Sequence, residues 1–329
     1  MTVWIGTYAA KGGRGLYRLD LGDGALTLGP PDDRIANASF AAWSPDGRTA
    51  YFVDEREDGC VSAWRHADGE WHPRGEASSG GALPCYLSVH PEGSWLAVAN
   101  YGDGAVALAR LDPASGELLG VADTRRQQGR GPNSERQDGP HAHCALFDSA
   151  GEWLYHVDLG LDRVFRYPLR DGRLGDGEVA FAAPPGTGPR HLAWHPDGRH
   201  ALLLCELSAE LMLLEIGVDR LTMRDKVATS TARKPENLGG HLAIGQDGTV
   251  RVTNRGANTL AEFTIERDRL RRGRERPTGG ASPRHFVELE GGFLLAHEKD
   301  GTVRLLPGGQ GSVASVEVPG AAFVLAGGE

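Results

Sequence analysis

One unit recurs along this chain: an apolar run, a turn of the Pro-Asp-Gly kind, a second apolar run, another turn and a third run. Copies run from Phe40 to Trp64, Tyr86 to Leu111, His143 to Tyr167, His191 to Ile216, His241 to Ile265 and His285 to Leu306. Their turn glycines, Gly47, Gly93, Gly151, Gly198, Gly248 and Gly291, are spaced by 46, 58, 47, 50 and 43 residues. That period is the length of a four-stranded propeller blade. Seven units of 47 residues fill a chain of 329. The seventh must be made from both ends, with TVWIGTY (Thr2 to Tyr8) and GLYRLDL (Gly15 to Leu21) joining VPGAAFVLA (Val318 to Ala326). Such a join closes a ring without leaving an open sheet edge. The expected fold is all-β: one seven-bladed β-propeller domain over residues 1–329, with four-stranded antiparallel blades and a ring closed by the N- and C-terminal strands. Two β-sandwich domains are the competing architecture, but a sandwich predicts no regular period.

Local chemistry agrees with the repeat. The runs are short and rich in Val, Leu, Phe, Tyr and Trp, as strands are. Asp-Gly pairs at Asp46, Asp58, Asp103, Asp197, Asp247 and Asp300 are hairpin signals. An apolar fraction of 40% supports a large core. A net charge of −9 disfavours nucleic acid, whose phosphates need a basic face. Cations are nearly all Arg; Lys stands only at 11, 226, 234 and 299. Cys60, Cys85, Cys144 and Cys205 form no metal-type spacing. The start, MTVWIGTY, carries no basic and long apolar leader, and no run approaches the length of a membrane helix. The expectation is a cytoplasmic protein without a membrane anchor, a monomer or weak dimer.

The longest gap holds a polar insertion, Asp123 to His143, read as a loop on the top face. Long loops of this kind are functional or disordered. In a propeller the first strand of each blade lines the channel, and its start meets the end of the second strand. Eight residues before the turn glycine stand Ser39, Cys85, His143, Arg190 and Gly240, with Arg284 close to that position in the sixth copy. Eight after it stand Glu55, Tyr101, Leu159 and Glu206; the fifth copy, one shorter, puts Arg255 there. Taken singly, these are rim residues that satisfy loop backbones. As a set they point to a site, because charges lining a channel are costly without partners. His90 and His195 occupy the same HPxG turn and read as structural. His191, His241 and His285 can each simply fill a blade. His141 and His143 end the long loop and are the better candidates. Two histidines one residue apart suit a metal, but no third ligand has a clear spacing.

Five blocks in order then resemble the propeller-type lactonases, the family that includes bacterial 6-phosphogluconolactonase: GPNSERQDGPHAH (131–143), GTGPRHLAWHPDG (186–198), Cys205-Glu206-Leu207, TNRGANTLAEF (253–263) and GGASPRHF (279–286), after an IGTY and GLYRLDL opening. Cys205 replaces the family's usual Asn, which alters one hydrogen bond beside the Glu. The resemblance implies a pocket of His141, Arg190, Glu206 and Arg255. In a metal-free and cofactor-free scheme Glu206 is the general base, Arg190 and Arg255 stabilise developing negative charge or hold a phosphate, and His141 protonates the leaving oxygen. His143, Arg284, Tyr101 and Asn254 are the expected substrate-binding residues. Which of His141 and His143 faces the pocket stays open, since neighbours two apart in an irregular segment can point either way. The expected partner is a small, anionic sugar δ-lactone. A muconate-type lactone, or a protein partner bound by a non-catalytic propeller, are the alternatives.

Overall fold

Why some runs are apolar throughout and others alternate becomes clear from the sheets they form. The computed structural model describes residues 1–22, 25–232, 236–309 and 313–327. Among these, the strands form seven sheets, six of them built from strands consecutive in the chain and one in which Ala321–Leu325 precedes Thr2–Thr7. Second strands such as Trp95–Asn100 and His200–Cys205 are buried almost end to end. Both of their faces are covered, so alternation is lost. Fourth strands such as Glu70–Ser78, Leu118–Arg126 and Leu221–Ala228 alternate or lie largely exposed and carry the charge.

The chain divides into two compact units, Met1–Asn37 with His191–Ala326, and chiefly Ala38–Arg190. The first holds the sheets of residues 189–228, 238–277 and 283–317, and one sheet in which Ala321–Leu325 pairs with Thr2–Thr7, followed by Leu16–Gly22 and Ala25–Asp32. In that pairing Ile5 lies opposite Val324 and Trp4 opposite Leu325. The join of the two chain ends is therefore as the repeat predicts. The second unit holds the sheets of residues 41–78, 84–126 and 142–182. In the last of these, Arg173–Leu174 and Glu178–Ala182 both pair with Arg163–Arg170. Within each unit successive sheets pack face to face. Val53, Val61, Leu87 and Val98 share one core in the second unit, and Leu202, Leu204, Val252 and Phe263 share one in the first.

The repeat's turns explain its glycines. The amide of Gly93 donates to the carbonyl of His90, and that of Gly198 to His195, closing four-residue turns. All six turn glycines have φ between 68° and 83°, a region where a Cβ is penalised. The two HPxG histidines are structural, as expected. His90 Nε2 lies 3.1 Å from the carbonyl of Gly151, and His195 Nε2 lies 3.2 Å from that of Gly248, so each tethers the equivalent turn of the next sheet. His191, His241, His285 and Phe323 form a run of ring contacts along successive first strands. The Val324 N–H also donates to His285 Nδ1 at 3.4 Å.

The insertion is shorter than its composition suggests. Asp123 to Arg126 belong to the strand Leu118–Arg126, paired with Ala105–Leu111, and Ala142 and His143 open the strand Ala142–Phe147. An outer strand has one open side, so its polar sequence reads like a loop. The irregular segment is 127–141. It is built around Gln137, whose buried amide accepts from the Asn133 N–H at 3.2 Å and donates to the Leu159 carbonyl at 2.8 Å. No helix among the described residues is long and apolar enough to cross a membrane.

Candidate active site

First strands carry a register break at one recurring place. It falls between Pro84 and Tyr86, Ala142 and Cys144, Gly239 and Leu242, and Pro283 and His285. The residues inside those breaks are Cys85, His143, Gly240 with His241, and Arg284. A bulge leaves one residue unpaired and re-aims its side chain. Cys85, His143, Gly240 and Arg284, four of the positions singled out by the repeat, are thus released from strand alternation.

In the first unit the breaks surround a charged cluster. Glu206 directly follows the strand His200–Cys205 and is buried. Arg255 Nη2 donates to its Oε2 at 2.7 Å. The same guanidinium donates through Nε and Nη2 to the Gly239 carbonyl, at 3.2 and 2.8 Å, which fixes its plane. A carboxylate set against a guanidinium is ionised and can accept a proton. Arg284 Nη1 lies 3.6 Å from Glu298 Oε2, and Lys11 Nζ donates to Glu298 Oε1. Arg284 and Lys11 also lie over the ring of Tyr8, at 5.2 and 5.4 Å. Burial pushes the Glu298 carboxyl up, but Arg284, then Lys11 and Arg255, outweigh it and hold the group at about 2. A cleft of about 720 Å³ opens beside Glu298, lined also by Lys11, Lys299, Asp300 and Glu317. With three carboxylates against two lysines, it is not a phosphate cradle.

Glu298 and Lys11 were not among the sequence candidates. The signal was present: seven residues past the turn glycine gives Arg255 in the fifth copy and Glu298 in the sixth. Lys11 is contributed by a short 3₁₀ turn, Ala9–Lys11, outside the repeat, and nothing in its sequence setting marks it. Asn254 is not brought to this cluster. It is fully buried, its amide donates to the Thr229 carbonyl at 3.0 Å and to Thr259 Oγ1 at 3.1 Å, and its Oδ1 accepts from Thr229 and Asn237. With its polar groups bonded to Thr229, Asn237 and Thr259, this side chain holds the loop.

The second unit supplies aromatic and histidine chemistry. Tyr101 follows the strand Trp95–Asn100. Its ring stacks on His141 (4.6 Å between centroids, 17° between planes) and meets His143 edge-on at 5.5 Å. Both histidine rings therefore reach Tyr101. His143 and Arg190 are buried, and Arg190 Nη1 donates to His143 Nε2. His143 Nδ1 lies 3.7 Å from Cys85 Sγ. The loop end carrying His141 closes tightly. A Cβ on Gly160 would lie 1.9 Å from the Gly139 carbonyl and 3.0 Å from His141 Cδ2, so only glycine fits. In the first copy Ser39 Oγ donates to Glu55, occupying the same corner with a closed pair. Strands Pro189–Trp194 and His200–Cys205 are neighbours in one sheet. Arg190 is the second residue of one, and Glu206 follows the last residue of the other.

Comparison with known proteins decides the family. The model of the family described as lactonase, 7-bladed beta-propeller matches residues 2–307. The chain belongs to the seven-bladed β-propeller lactonases. Its relatives include the 6-phosphogluconolactonase of Bacillus subtilis strain 168, 30% identical over 312 residues and covering 90% of this chain and 88% of that one. Among solved structures, the periplasmic gluconolactonase of Pseudomonas aeruginosa is 28% identical, with a TM-score of 0.88 over 99% of each chain. A protein from Lactobacillus plantarum is also 28% identical, with a TM-score of 0.88 over 98% of each. The fold class expected from the repeat is thus that of the family, and the chain is a lactone-hydrolysing enzyme of this lactonase family.

Proposed function

We propose that the protein hydrolyses a sugar δ-lactone, with 6-phosphogluconolactone as the substrate and 6-phosphogluconate as the product. The observation that carries this is the buried Glu206 carboxylate held by Arg255 at 2.7 Å in a lactonase-family chain. Glu206 takes a proton from water as the water oxygen attacks the lactone carbonyl. Arg255 and Arg190 offer N–H groups to the oxyanion that develops. The ring C–O bond then breaks, and the departing oxygen takes a proton from His141. Tyr101, His143 and Arg284 contact the sugar. Support for using these residues on one substrate comes from their equivalence: each sits at the start of a first strand or the end of a second. That corner recurs once per blade.

A second reading, an unphosphorylated gluconolactone, is favoured by one observation. Arg255 is bonded to Glu206 and Gly239, Arg284 and Lys11 to Glu298, and Arg190 to His143, so each of these cations already has a partner other than a phosphate. Purified protein assayed on both lactones, above the spontaneous rate, separates the two. Arg190→Ala is expected to raise KM for the phosphorylated lactone more than for the other, and equal effects would remove the phosphate role. Glu206→Gln is expected to lower kcat about 10²–10⁴-fold; undiminished turnover would end its assignment as base. The absence of any disulfide among the four cysteines suits a reducing cytoplasm, where we place the enzyme.

A further inference from the structure

We infer that Asp138 is the positioning residue that gives the Nε2–H of His141 an acceptor at rest and so readies this histidine to serve as the acid; the catalytic half of this rests on the lactone-hydrolysis reading above. His141 has an acceptor at each ring nitrogen. Nδ1 lies 2.8 Å from the carbonyl oxygen of Tyr101, and Nε2 lies 3.1 Å from Asp138 Oδ1. A carbonyl and a carboxylate only accept, whereas a neutral imidazole has a single N–H. Only the imidazolium donates to both. Its face is covered by the stacked Tyr101 ring, an arrangement that also favours a cation.

The remaining charged groups around His141 do not reverse this. Asp158 Oδ1 accepts the His141 backbone N–H at 2.9 Å and adds a carboxyl on the same side of the balance. Arg136 donates to the Tyr101 hydroxyl at 3.2 Å, and Arg190 reaches His143. Both cations lie beyond an intervening ring. Asp138 is the one carboxylate bonded to the imidazole itself, and the hydrogen bond from His141 is the leading cause that draws its own carboxyl below the usual range.

The two bonds differ in permanence. The Tyr101 carbonyl is backbone in an ordered corner, so it fixes the ring. Asp138 is 71% exposed, three residues before His141 across a Gly-Pro turn, and is free to leave. The departing lactone oxygen takes its place at Nε2–H. When the ring C–O bond breaks, its electron pair goes to that oxygen, which takes the Nε2 proton; Nδ1–H stays on the Tyr101 carbonyl. His141 is left neutral, and water reprotonates it as Asp138 returns.

The test is Asp138→Asn in the full chain. The His141 Cε1–H resonance, assigned by its absence in His141→Asn, is titrated by NMR without substrate. Removing the carboxylate is expected to move this titration to lower pH, partly restored in Asp138→Glu. The alkaline limb of the kcat profile on 6-phosphogluconolactone and gluconolactone should move the same way, with kcat above it down about threefold and a smaller change in KM. An unmoved titration overturns the proposal. A titration that moves while the kcat limb stays put overturns its catalytic half. If the wild-type chain opens neither lactone, the lactonase reading falls, and the titration still decides whether Asp138 sets the charge of His141.

Discussion

The Glu206–Arg255 corner and the His141–Tyr101 corner grow from equivalent stretches of the repeat, yet they store charge differently. In the first, Glu206 is buried and Glu298 partly so, and each is paired with a guanidinium or ammonium. The Glu298 carboxyl is held at about 2. In the second, the acidic partner is exposed and bonded to an imidazole. The repeated corner thus carries carboxylate–cation pairs in one unit and a histidine–aromatic cluster in the other. The difference comes from burial and from partner type, not from backbone geometry.

The sharpest way to break this comparison is to remove a locked cation. Arg255→Ala leaves Glu206 buried without its partner and should cost about 3–5 kcal/mol in urea unfolding. The double change with Glu206→Gln should recover much of that. A similar loss in the double variant would show that Arg255 acts mainly through Gly239. The next effect is a pH dependence. Glu298 is held at about 2 against an ordinary 4.5. A depressed carboxyl stabilises the fold fully above pH 4.5 and loses that contribution as pH falls toward 2. The difference in stability between wild type and Glu298→Gln should therefore shrink by an amount on the order of 3 kcal/mol between pH 6 and pH 2. A pH-independent difference would assign Glu298 to packing instead.

Smaller effects sharpen the boundary between site and scaffold. Asn254→Ala should lower stability by about 1–3 kcal/mol, because buried partners lose their bonds, while KM for the lactone stays within the error of the wild-type value. A raised KM would return Asn254 to the substrate. The turn tethers should behave alike in both units. His90→Ala and His195→Ala each remove one hydrogen bond to a turn carbonyl and should each cost about 1 kcal/mol in thermal unfolding. Unequal costs would mean that the two repeats are not packed equivalently.

Much of this was legible in the linear order of residues. Asp-Gly turns and apolar runs gave strand positions, the period gave the number of sheets, and the shared HPxG turn marked His90 and His195 as structural. Arg190, Glu206 and Arg255 stood out because they broke the repeat's apolar habit. Asn254 stood out for a related reason: beside an Arg in a family-like block, a polar residue reads as part of the site. Its bonds to Thr229, Asn237 and Thr259 join stretches that the sequence keeps apart. Asp123 to Arg126 misled because an open-edged strand and a loop have the same polarity.

What the chain's order alone determined is the architecture, since hydrophobic period and turn chemistry act over neighbouring residues and survive without knowledge of distant contacts. What only the tertiary structure decided is which side chains share charge and protons. The pairing of Glu298 with Lys11, the bond from Asp138 to His141 and the release of His143 from strand alternation depend on distances of a few ångströms. Electrostatic and hydrogen-bond energies fall off over that range, and no periodicity records them.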